Sequence, residues 1–70
     1  MERGKITLQG IRSQEDADKI LHALNEVWGV RSAEVNVNSK EAVVNFDEKA
    51  ASLQDFEQAI IDSGYDLHKQ

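Results

Sequence analysis

Ser13-Gln14-Glu15-Asp16-Ala17-Asp18 gathers one hydroxyl and three carboxylates within six residues, just after Gly10-Ile11-Arg12 and just before an apolar helical period. Two kinds of chemistry could use such a set. A hard cation such as magnesium or calcium wants several oxygens converging on one point. Neighbours one or two apart on a helix diverge, so Asp16 and Asp18 do not face each other, and nothing here has the spacing of an EF-hand loop. A helix start fits better. Ser13 can accept a free backbone N–H as N-cap, and Glu15 and Asp16 then face the positive end of the helix dipole. The second use is the one expected.

Other reactive side chains are few. His22 and His68 are the only imidazoles. His22 falls on the outward face of the first helical period, over a turn from Asp16, and His68 lies in a polar tail. Two distant histidines without a third ligand seldom hold a metal, so both read as solvated surface groups. No cysteine is present, which excludes disulfides and thiolate metal ligands from within the chain. No serine has a histidine at a recognisable spacing and no acid pair is marked for acid–base work, so the chain is not expected to be an enzyme. No cofactor is expected.

The elements that would position these residues follow from hydrophobic period. Residues 5–9 alternate, with Ile6 and Leu8 on one face, as a half-buried strand does. Ala17, Ile20, Leu21, Leu24 and Val27 or Trp28 then recur at helical spacing, which predicts a helix over residues 14–28 stopped by Gly29. Trp28 is expected to cover the end of the core, anchoring of a partner being the alternative. Two alternating runs, Val30 to Val37 and Ala42 to Phe46, flank the turn residues Asn38-Ser39-Lys40 and read as a hairpin. Leu53, Phe56, Ala59 and Ile60 mark a second helix ending at Gly64, and Tyr65 to Leu67 a short last strand before His68-Lys69-Gln70.

Strand, helix, strand, strand, helix, strand folds most simply as an α+β, ferredoxin-like βαββαβ sandwich: a four-stranded antiparallel sheet with both helices on one face. The halves echo each other. Ser13 to Asp16 and Ser52 to Asp55 both read as capping boxes, and Gly29-Val30 mirrors Gly64-Tyr65. Residues 1–70 are expected to form a single domain, near the lower size limit for an unstapled core.

Thirteen acidic against eight basic side chains leave a formal charge of −5. Such a surface repels phosphate backbones, and the Glu41 to Phe46 run has one aromatic and no Lys or Arg, so no nucleic acid is expected as a partner. No apolar run approaches the roughly 20 residues that cross a bilayer, and no apolar signal segment follows Met1. The expectation is a cytoplasmic protein without membrane insertion, with a monomer favoured.

The register as a whole resembles the heavy-metal-associated domain, the small fold of copper chaperones and of the N-terminal modules of metal-transporting ATPases. That family's pattern is Gly-Met-Thr-Cys-x-x-Cys, an Ile or Val and a Leu on the first helix, Gly-Val, alternating strands, a late Ala-Ile, and Gly-Tyr or Gly-Phe. Gly10, Ile11, Ile20, Leu24, Gly29-Val30, Val35, Ala42, Val44, Phe46, Ala59-Ile60 and Gly64-Tyr65 fall into it without a gap. The resemblance puts the family's two metal-binding cysteines at Ser13 and Asp16, and its Met and Thr at Ile11 and Arg12. A hydroxyl and a carboxylate lack the softness of thiolates, so the ligand site is degenerate and tight copper binding is expected to be lost. In the family, docking and metal transfer share this loop. The implied role is recognition of another protein, with Ile11, Arg12, Glu15, Trp28 and Tyr65 as the candidate docking surface. The alternative is residual metal handling with weak oxygen ligands, or with ligands supplied by a partner.

Overall fold

The structure, a computed structural model, describes residues 2–67. The elements are β1 (Glu2–Gln9), α1 (Gln14–Asn25), β2 (Val30–Asn36), β3 (Glu41–Phe46), α2 (Leu53–Asp62) and β4 (Asp66–Leu67). They build one four-stranded sheet in the order β2-β3-β1-β4, antiparallel at every pairing. The expected ferredoxin-like arrangement is present.

Alternation decides which sheet face is covered. Ile6 and Leu8 of β1 and Ala42, Val44 and Phe46 of β3 point to one side and are buried, together with Ala17, Ile20 and Leu24 of α1 and Phe56 and Ile60 of α2. Both helices therefore share one core, in which the Phe46 and Phe56 rings meet at 5.0 Å between centroids. The opposite face is mainly polar, with Val43 between Lys5 and Glu34. Lys5 and Glu41 pair across it at 2.9 Å, and Asn45 donates to the Ser32 hydroxyl at 2.9 Å.

Two boundaries differ from the period. β1 starts at Glu2, three residues before the alternation does, because Glu2, Arg3 and Gly4 pair with Phe46, Asn45 and Val44. Gly4 hides the alternation: it occupies an inward position without a side chain, and Leu53 fills the space its Cβ would take. α1 ends at Asn25 rather than Trp28, with Glu26 as C-cap. Gly29 (φ +97°) makes the reversal into β2, where an added Cβ would stand 2.9 Å from the Ala50 Cβ. Of the two alternatives for the last apolar position, Val27 packs against the core, whereas Trp28 is 85% exposed. Trp28 does not cover the core. Once the helix stops at Asn25, the turn that tucks Val27 inward carries the next side chain outward.

In the β2–β3 hairpin, the Asn36 side chain accepts the amides of Asn38 and Ser39 at 2.9 and 3.2 Å, and Lys40 takes a positive φ of 56°. β2 lies at the sheet edge and carries an irregularity between Val30 and Ser32, a device that blunts edge pairing. The tail His68-Lys69-Gln70 lies outside the described residues.

Candidate functional site

The loop between β1 and α1 is set by three local features. Gly10 takes a φ of +79°, which turns the chain out of the strand. Ile11 is 2% exposed and belongs to the core, so it pins the loop from beneath. Ser13 follows as N-cap in extended backbone, its hydroxyl accepting the Asp16 amide at 3.4 Å and its carbonyl the Ala17 amide at 3.2 Å. The expected cap is therefore formed at Ser13.

Asp16, at the third helical position, closes the loop in an unexpected way. In a capping box its carboxylate would return to the N-cap amide. Here one oxygen, Oδ2, accepts the Arg12 amide at 3.0 Å, one residue earlier, and the other, Oδ1, accepts the Tyr65 hydroxyl at 2.7 Å. At α2 the return bond takes the regular form: the Asp55 carboxylate accepts the Ser52 amide at 2.9 Å. The Tyr65 contact spans 49 residues of sequence and depends on how α2 ends. There the Tyr65 amide reaches the Ile60 carbonyl and the Gly64 amide the Ile61 carbonyl, at 3.3 and 3.0 Å, with Gly64 at φ +93°. This is a Schellman motif, which fixes the direction in which Tyr65 leaves the helix. The C-terminus of α2 thus delivers a phenol to the N-terminus of α1.

The electrostatics follow from that contact. The Tyr65 hydroxyl, then the Arg12 amide, hold the Asp16 carboxyl below the ordinary carboxylate value. In return the hydrogen bond to Asp16 pushes the Tyr65 phenol above its ordinary value, with desolvation acting the same way. Both oxygens of Asp16 are engaged, and the Ser13 hydroxyl already serves the cap. Neither is a soft ligand, and their alignment with the two cysteine positions gives a pair that does not fit copper. Among the described residues no three His, Cys, Asp or Glu side chains converge on a metal position.

The structure brings Arg12, Glu15 and Tyr65 to one end of the molecule. Glu15 is exposed and lies 3.7 Å from Lys19 one turn on. Ile11 sits at the same end, but beneath the surface. Trp28 is elsewhere. It precedes Val30, which pairs with Phe46, which in turn faces Glu2 at the start of β1; the loop follows the far end of that strand. An eight-residue strand, roughly 25 Å long, separates the two. His22 is exposed and lies 3.2 Å from Glu26; His68 is outside the described residues. The Asp16–Tyr65 bond was hidden from residue-by-residue reading. Its only sequence signal is the aromatic placed directly after the Gly64 stop.

Similarity to known proteins follows the geometry. Residues 5–66 match the heavy-metal-associated domain. The chain is 30% identical over 69 residues to the copper chaperone CopZ of Bacillus subtilis (strain 168), covering 99% of this chain and 100% of that protein. It is 32% identical over 62 residues to the copper chaperone CopZ of Staphylococcus haemolyticus (strain JCSC1435), covering 89% and 91%. Among solved structures, a CopZ metallochaperone superposes with a TM-score of 0.92 at 27% identity, covering 96% of this chain and all of that one. Oxidized MerP from Ralstonia metallidurans CH34 gives 0.90 at 27%, covering 99% and 97%. A match across nearly the whole chain, on a fold that superposes on solved relatives over nearly its full length, leaves one conclusion: this cysteine-free chain belongs to the heavy-metal-associated domain family.

Proposed function

We propose that this domain is a non-catalytic recognition module that docks another protein through its first loop and does not hold copper tightly. One observation carries the reading. At the two positions aligned with the family's cysteines, Ser13 and Asp16 are occupied by the chain's own hydrogen bonds, as helix cap and as acceptor of Arg12 and Tyr65. The loop is thereby held in shape without a metal. A preorganised loop with exposed Arg12 and Glu15 has lost less freedom to give up on binding, which favours docking. Trp28 stands apart from this surface.

The names of the relatives favour a second reading, in which the chain still handles copper through weak oxygen ligands or ligands supplied by a partner. Amide NMR spectra separate the two. Cuprous ion (under reductant), zinc and calcium are each added near stoichiometry. The recognition reading predicts unchanged positions for Ile11 to Asp16; saturable shifts there with any of the three would sink it. A Ser13→Cys/Asp16→Cys double variant is the positive control, because it restores two thiolates beside a helix N-terminus and should bind cuprous ion.

A further inference from the structure

The end of the molecule remote from the loop carries an arrangement that the proposed function does not use. Trp28 is 85% exposed, and at its foot lies an open cleft of about 450 Å³ lined by Val27, Val30 and Ala50 with the charges of Glu26, Arg31 and Asp47. Val27 and Val30 are only partly buried. Among the described residues Arg31 makes no ion pair. A ring standing free beside a cleft of mixed apolar and charged lining is half of a lock and half of a key on one patch.

From this we infer that the Trp28 end is a weak two-fold self-association surface, whose occupant is a second copy of this chain. A two-fold interface uses the same patch on both partners, so the patch must complement itself in shape and in charge. Here the rotation places each Trp28 ring over the other copy's cleft. The inferred dimer would also pair Arg31 of one copy with Glu26 of the other, which within its own chain lies 3.2 Å from His22. The charges around the cleft are of both signs, which a copy can match. The helical layer is not suited to this: α1, its cap Glu26 and α2 carry seven acids against one lysine, and two such faces repel. The outer face of the sheet presents the Lys5–Glu41 and Asn45–Ser32 pairs and no exposed aromatic. This end carries the one exposed aromatic among the described residues, beside two acids and an arginine, and aromatic anchors dominate interface energetics. The patch is small against the roughly 800 Å² per partner of a stable complex, so the dimer is weak and reversible.

Trp28 is the only tryptophan, so the protein reports on its own association. Sedimentation equilibrium and tryptophan emission are recorded from about 10 µM to about 1 mM, the span in which a weak complex populates. The inference predicts a mean mass rising above 7.9 kDa toward twice that value, with a parallel blue shift of emission as the ring leaves water. Trp28→Ala, at an exposed position, should remain folded by circular dichroism and stay monomeric. Arg31→Glu and Glu26→Arg should each weaken association at least several-fold, and the double variant should recover most of it. A mass of 7.9 kDa and a fixed emission maximum at every concentration would overturn the inference. So would a dimer that persists in Trp28→Ala, since it would use another surface.

Discussion

Asp16 shows how far one substitution can change a loop. At a position where the family places a thiol, a carboxylate finds two donors that the fold already supplies: a loop amide and the phenol delivered by the Schellman turn. The two titrations are therefore linked, and their signs are opposite. A carboxyl whose folded pKa is depressed adds stability above its unfolded value and loses it as pH falls through the folded one. A phenol whose folded pKa is raised adds stability below its unfolded value and loses it as pH rises through the folded one. The contribution of this contact should be flat between about pH 5 and pH 9 and decline on either side. Tyr65→Phe tests it. The Asp16 carboxyl midpoint, followed by carbon NMR, should move up toward the ordinary value. Asp16→Ala should lower the phenol midpoint, read from ultraviolet absorbance, and the signal is unambiguous because Tyr65 is the only tyrosine. Unmoved midpoints would mean that the two groups do not share a proton-dependent contact in solution.

At the scale of elements, most of the architecture was legible because caps, periods and stops agree. The two Ser-x-x-Asp starts, the alternating hairpin and the Gly64 stop each appear where the residues place them. The misreadings share one cause: tertiary pairing overrode the local period. Gly4 conceals an inward strand position, and α1 yields its last turn so that Val27 can pack. Trp28 was the ambiguous residue, since an apolar ring at the end of an apolar stripe is equally consistent with core and with surface. The cap geometries also differ in a way the sequence does not separate. The Ser13 contact is long at 3.4 Å, whereas the return bond of the second box is 2.9 Å. Ser13→Ala should therefore cost about 0.5–1 kcal/mol, and Asp55→Ala about 1 kcal/mol, in urea unfolding. Equal stability in both variants and the parent would show that the caps are decorative. Gly29→Ala combines a positive φ with an approach to the Ala50 Cβ of 2.9 Å, so it should cost about 1–3 kcal/mol, read as a lowered urea midpoint.

For the whole molecule, the fold separates three surfaces that one sequence of 70 residues must share. The loop end carries Arg12, Glu15 and the Asp16–Tyr65 link, the helical layer carries the excess negative charge, and the far end carries Trp28. The fold keeps the heavy-metal-associated architecture, and the departure that bears on metal binding lies in the first loop, which has no cysteine. The proposed function therefore rests on the loop chemistry and not on the scaffold. The central claim is that this loop is sustained by its own hydrogen bonds and leaves cuprous ion to stronger ligands. Competition with a chromophoric cuprous chelator, under reductant and near neutral pH, tests it most directly. The account predicts that adding one equivalent of protein leaves the chelator's absorbance unchanged, while Ser13→Cys/Asp16→Cys withdraws copper. Stoichiometric loss of the chelator signal with the unmodified chain would contradict it.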